Sequence, residues 1–189
     1  MLLSKATADE VIDSLVRPIA RAVKDDRVTT LAATLARLEA TGMLANPVLF
    51  AAPETGRYAR RTLWRDADGK FVVVAITWAP GQSSALHDHD GLWGAEIVVG
   101  GTMRETAFQL VDRDRAGRYR FLRGASRDAR KGTVGTLNPP LEYHEFGNAG
   151  PTTAHSIHVY GGTLDRCRAF TADTDGWWNA NQVDLRRHG

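Results

Sequence analysis

Two histidines two residues apart stand in Leu86-His87-Asp88-His89, a stretch punctuated by Gly81, Gly91 and Gly94. Side chains alternate along an extended strand, so His87 and His89 share a face and can reach one metal ion. A third histidine, His144, lies within Tyr143-His144-Glu145-Phe146-Gly147-Asn148. A facing strand of a small barrel, whose interior can hold one ligand, would bring it to the other two. His155 and His158 differ by an odd number, so a regular strand turns only one of them inward. His158 shares its side with Ser156 and Tyr160. The chemistry open to this set is metal-centred, with a serine, a histidine and a tyrosine beside the ion.

The remaining sequence must supply the elements that position these groups. Residues 7–24 predict a helix. Thr7 followed by Glu10 forms a capping-box pattern, and Val11, Ile12, Leu15, Val16, Ile19 and Val23 recur at helical spacing. Pro18 is expected to kink or divide it. A second helix is predicted over 29–41, with Leu31, Leu35 and Leu38 on one face and Gly42 as its stop. Both carry apolar stripes that need a sheet to cover them.

From about residue 57 the texture becomes β-like. Asp66-Ala67-Asp68-Gly69 reads as a hairpin turn. Strands are predicted at 71–78, 85–89, 93–99, 102–111, 118–124, 133–138, 142–147 and 154–160, the mark of an antiparallel barrel or sandwich. The expected organisation is one domain, 1–189: a helical segment to residue 45, a β-barrel over 57–170, and a surface-packed extension over 171–189. Its basic end, Arg186-Arg187-His188, is expected to be disordered.

The totals narrow the function classes. The chain has 189 residues, 43% hydrophobic and 24% charged, with a formal net charge of +2. These values suit a globular domain with a core of its own. Lysines and arginines are scattered, so no nucleic-acid footprint is visible. One cysteine, Cys167, excludes an internal disulfide. No apolar stretch has the length of a membrane span, and no signal-type segment opens the chain. The expectation is a cytoplasmic protein, monomer or small homo-oligomer, without membrane or nucleic-acid partners.

Gly81-x5-His87-x-His89 with His144-x3-Asn148 resembles the two motifs of the cupin superfamily. Within it, the chain is similar to the thiol dioxygenases of the cysteine dioxygenase family. The similarity is carried by Tyr58-Ala59-Arg60, Gly69-Lys70-Phe71, Ser84 to His89, Gly101 to Thr106, His144 to Asn148 and Ser156 to Tyr160. It implies a mainly β, cupin-type antiparallel barrel (a jelly roll) with the N-terminal helices packed on it. It also implies that His87, His89 and His144 hold a non-haem Fe(II). Three neutral imidazoles leave the ion its full charge, which favours an anionic thiolate. Both atoms of O2 would then pass to the sulfur of a small thiol carboxylate, giving a sulfinic acid.

The same resemblance assigns Ser156, His158 and Tyr160 to the catalytic surroundings, with the Tyr160 hydroxyl aimed at the substrate and His158 fixing its orientation. Arg60 would bind the substrate carboxylate through its planar fork, with Tyr58 nearby and Trp93 walling the pocket. Arg61 should point the opposite way. If both arginines reached the site, a dicarboxylate thiol would be suited. L-cysteine and mercaptosuccinate are thus the expected substrates, ahead of 3-mercaptopropionate. The cysteine that crosslinks to the active-site tyrosine in eukaryotic members is replaced by Gly94. Glu96, two residues on, is a candidate fourth ligand, and Cys167 reads as a structural thiol. The rivals are another metal-dependent cupin enzyme and a non-catalytic binding cupin.

Overall fold

The computed structural model describes residues 7–25, 28–140 and 143–185. The basic end, Arg186 to His188, lies outside the described residues, as do Met1 to Ala6 of the N-terminal reading.

Helix α1 (Ala8–Lys24) opens on the expected capping box: the Glu10 amide donates to the Thr7 hydroxyl, and the Glu10 carboxylate accepts from the Thr7 amide. Pro18 lies inside α1 and does not divide it. Its missing N–H and ring cost the helix about 3 kcal/mol. The burial of Leu15, Val16 and Ile19 on both sides of that position holds the element together. Helix α2 (Val28–Ala40) ends before Gly42, which takes the left-handed conformation with φ 76°.

Eleven strands follow among the described residues: β1 (Ala59–Arg65), β2 (Val72–Trp78), β3 (Leu86–His87), β4 (Gly94–Gly100), β5 (Thr102–Arg113), β6 (Tyr119–Arg130), β7 (Val134–Leu137), β8 (Tyr143–Asn148), β9 (Ala154–Tyr160), β10 (Arg166–Ala172) and β11 (Trp178–Asp184). One sheet has the order β1-β2-β9-β4-β7, and a closed ring runs β10-β11-β6-β5-β8-β3. All pairings are antiparallel. The tail expected as a surface-packed extension instead carries β11, which pairs with β10 along its whole length.

The five-stranded sheet has two faces with different work. Val73, Ala75, Ala95, Ile97, Ile157 and Val159 point to the helices and form one core with Leu15, Leu31 and Leu35. Their strand neighbours Val72, Val74, Ile76, Trp78 and Val98 point the other way, into a second core. Because both faces are buried, β2 reads as an unbroken apolar run rather than an alternating one. The second face, cupped by β3, β8 and β10, is where the site lies.

Candidate functional site

Strand register puts the polar residues of the cup side by side. Arg60 on β1 is opposite Ile76 on β2, which is opposite Ser156 on β9. One row further, Val74, His158 and Glu96 are neighbours across β2, β9 and β4. Another row joins Val72, Tyr160 and Gly94. Gly94 is required there, because a Cβ would lie 2.6 Å from the Val159 carbonyl oxygen. The alternation along β9 resolves the histidine pair: His158 faces the cup, whereas His155 packs on Phe50, ring to ring at 4.4 Å.

The three expected ligand histidines converge. His87 on β3 pairs directly with His144 on β8, and His89 follows in the turn after β3. Ring centroids are 4.8 Å apart for His87–His89 and His87–His144, and 5.0 Å for His89–His144. One nitrogen from each lies within 4.8 Å of the others. His87 Nδ1 donates to the Ala85 carbonyl at 3.0 Å, and His144 Nδ1 stands 3.2 Å from Glu105 Oε1. Those contacts leave the Nε2 atoms for an ion, the arrangement by which a hydrogen-bond partner fixes a ligand's tautomer. Burial, with the neighbouring His144, pulls the His87 pKa down to about 3, so this imidazole is neutral and competes with no proton for a metal. Burial acts the same way on His144 and is the largest single effect, but the Glu105 hydrogen bond together with the Glu96 and Glu105 charges outweighs it and raises that pKa.

The intervening Asp88 is fully buried and anchors the loop. It accepts from the Arg168 amide at 2.8 Å and from the Arg168 guanidinium, whose other end donates to the Tyr119 hydroxyl. This clamp ties the His87–His89 segment to β10.

The histidines open onto a cavity of about 200 Å³, whose wall also includes Tyr58, Arg60, Tyr160, Cys167 and Leu185. Tyr160 stacks on His89 at 5.5 Å, and burial pushes its hydroxyl pKa upward. Tyr58 leans on Trp78 at 4.4 Å. Arg60 donates weakly to the Thr62 hydroxyl at 3.4 Å, while its Nη2 is buried without a partner. Burial lowers its pKa from the ordinary guanidinium value, which is the signature of a desolvated cation. Arg61 points to the other face and donates to the Val48 carbonyl.

Ser156 does not line the cavity. It is fully buried behind His158, accepting from Trp78 Nε1 at 2.9 Å and meeting His158 Nε2 at 2.8 Å. The Tyr160 hydroxyl is 3.3 Å from His158 Nδ1. Trp93 is a correction. It packs over Gly161, where a Cβ would come within 2.2 Å of the indole, and against the helix-side core. Trp93 neighbours Gly94, and the pleat turns successive residues to opposite faces. Glu96 faces inward but groups with Glu105 and His144 rather than with the three-histidine set.

Cys167, read from sequence as structural, lines the cavity. Its neighbour Arg168 is the Asp88 clamp. The alternation in Arg166-Cys167-Arg168-Ala169-Phe170 was the signal for both. Glu105 and Trp78 had no local signal, since only the cross-strand register brings them to the site.

The chain matches the profile of the family described as cysteine dioxygenase type I over residues 7–173. The chain belongs to that family. Among curated relatives, it is 27% identical to cysteine dioxygenase type 1 of Rattus norvegicus over 141 residues, covering 74% of this chain and 67% of the rat protein. Against the Homo sapiens protein of the same name it is 27% identical over 133 residues, covering 70% of this chain and 63% of that one. Solved structures similar in shape include a double-stranded β-helix protein from Klebsiella pneumoniae, with TM-score 0.45 and 17% identity over 70% of this chain and 91% of that chain. Another is a cupin domain from Schizosaccharomyces pombe, with TM-score 0.46 and 10% identity over 63% of this chain and 66% of that chain. Family membership makes this cupin a thiol dioxygenase, an oxidoreductase.

Proposed function

We propose that this cysteine dioxygenase family member uses Fe(II) held by His87, His89 and His144 to convert a small thiol monocarboxylate to its sulfinate. The observation that carries the reading is the pairing of a buried three-histidine cluster with the unpartnered Arg60 Nη2 across one small cavity. The donor set fits the ion: three imidazoles, two with their Nδ1 atoms already engaged. When bound, ferrous iron supplies coordination positions and electrons for joining thiolate and O2. The balance is RS⁻ + O2 → RSO2⁻, so no external reductant enters.

The protein's own groups do the rest. Arg60 binds the carboxylate, and its burial strengthens that charge-assisted contact. Tyr160, stacked on His89, presents its hydroxyl to the reacting end, and His158 orients it. A cavity of about 200 Å³ is below the size of drug-like sites, so it suits a substrate of few heavy atoms.

The direction of Arg61 bears on substrate choice. Mercaptosuccinate would need a second cation, and Arg60 is the sole cationic lysine or arginine among the described lining residues. A single carboxylate is therefore favoured. Between L-cysteine and 3-mercaptopropionate the observations pull apart. The named relatives are cysteine dioxygenases. Yet Asp88, the one carboxylate among the described lining residues, is already held by Arg168, leaving no free acid among them for an ammonium.

The test is O2 uptake by the iron-loaded protein with cysteine, 3-mercaptopropionate, mercaptosuccinate and cysteamine, with sulfinate identified by mass. One O2 consumed per sulfinate, from a monocarboxylate and not from cysteamine, is the expected result. No uptake with any thiol despite bound iron sinks the reading and returns the question to the other cupin chemistries.

A further inference from the structure

Glu96 is a buried carboxylate that the reaction above leaves unused. It is 4% exposed, on the cup face of β4, and does not line the substrate cavity. Its Oε2 lies 3.0 Å from His158 Nδ1, yet no well-directed hydrogen bond satisfies that oxygen. The sheet makes room for it. Across from Glu96 stands Gly135, where a Cβ would press to 3.1 Å from both Cγ and Oε1 of the glutamate. Burying a carboxylate with incomplete pairing is unfavourable, so a leucine would be the cheaper occupant of this position.

The protons around His158 show what the charge does. An indole nitrogen only donates, so Ser156 Oγ accepts from Trp78 Nε1. The Ser156 hydroxyl keeps a proton and a second lone pair, so toward His158 Nε2 it can either donate or accept. A carboxylate oxygen only accepts, so Glu96 Oε2, 3.0 Å from Nδ1, favours the ring proton on Nδ1 and leaves Nε2 to accept from Ser156. The Tyr160 hydroxyl meets this same Nδ1. Against a protonated nitrogen it can only accept, so its own proton is turned away from His158 and into the cavity. Without the carboxylate the chain of bonds can run in reverse: Tyr160 donates to Nδ1, and Nε2–H donates to Ser156.

We propose that Glu96 is a positioning residue of the thiol dioxygenase site, holding the His158 proton on Nδ1 and thereby aiming the Tyr160 hydroxyl proton at the substrate. This rests on the function proposed above, but the protonated nitrogen of His158 can be read without turnover. In ¹⁵N-histidine-labelled, metal-free protein, long-range ¹H–¹⁵N spectra should show His158 protonated on Nδ1. Glu96→Leu should move the proton to Nε2. Glu96→Gln, whose amide oxygen can still accept, should leave it on Nδ1.

In iron-loaded enzyme Glu96→Leu should lower kcat by about tenfold or more with KM little changed, the usual scale for removing a group that orients another. Glu96→Gln should recover most of that loss. In a Tyr160→Phe background Glu96→Leu should cost nothing further, since its effect passes through the hydroxyl. His158 protonated on Nε2 in the wild-type protein overturns the proposal, as does an equal loss with and without Tyr160. Should Glu96→Leu not fold, Gly135→Ala displaces the carboxylate instead, and the same spectra and coupling apply. If wild-type enzyme oxidises no thiol, the proposed function fails, while the spectra still decide where Glu96 holds the proton.

Discussion

Arg60 and Arg61 are adjacent in sequence, and the pleat of β1 sends them to opposite sides of one sheet. Only Arg60 enters the cavity, with a buried nitrogen awaiting an acceptor. Replacing it with glutamine should raise KM for carboxylate thiols about 10- to 100-fold, the scale of one lost charge-assisted hydrogen-bond pair. Iron bound per chain should not change; steady-state kinetics and metal analysis together check this. Cys167 makes a different test. Burial, aided by Asp88, pushes its thiol pKa up to about 11, so at pH 8 only about one thiol in a thousand is the reactive thiolate. The alkylation rate in folded protein should climb about tenfold per pH unit between pH 7 and 10, whereas the unfolded chain should level off near pH 9. A rate already flat at pH 8 would contradict the assignment. At this scale the sequence was most legible where residue type and spacing state the chemistry. His87, His89 and His144 do so, and so do Ser156, His158 and Tyr160 with their period of two. Glu105, Trp78 and Asp88 were illegible because partners 39 to 80 residues away give them their roles.

The element that most constrains the site is the β4–β9 pair. Gly94 lets β9 lie close enough for Tyr160 to reach the cup, since a methyl group there would meet backbone rather than a movable side chain. Gly94→Ala should therefore destabilise the fold by about 1–3 kcal/mol, the usual cost of overpacking, read as a lower urea midpoint. A midpoint unchanged within error would mean that the two strands have slack. The strands with strong β-branched content, β2, β4 and β9, were readable in sequence within a residue or two. The pair β10 and β11 was not. The seven residues of β11, Trp178-Asn179-Ala180-Asn181-Gln182-Val183-Asp184, contain little that favours a strand by itself. The ladder to β10 holds it, and a ladder is a property of two segments rather than of one.

The molecule as a whole carries two cores back to back on one sheet. The helical layer and the catalytic cup share strands but not side chains. Leu35, fully buried in the helical core, should cost about 2–5 kcal/mol when cut to alanine, measured by chemical denaturation. Iron bound per folded chain should stay the same. Loss of metal from a folded Leu35→Ala protein would show that the two cores are coupled. That the helices pack on a sheet followed from their apolar stripes, but which face they take follows only from where the polar residues of β9 point.

The cavity has one more property that its wall implies. That wall runs from Tyr58 to Leu185, and its three histidines come together only when β3 has found β8, 57 residues further along the chain. Contacts this distant in sequence form late, because the closing loop must first be ordered. A growing chain that has displayed His87 and His89 still lacks the third imidazole, the Arg168 clamp and the last strand of the wall. Tight metal capture is therefore reserved for the finished barrel. Under the proposed function, metal bound per chain would count completed barrels.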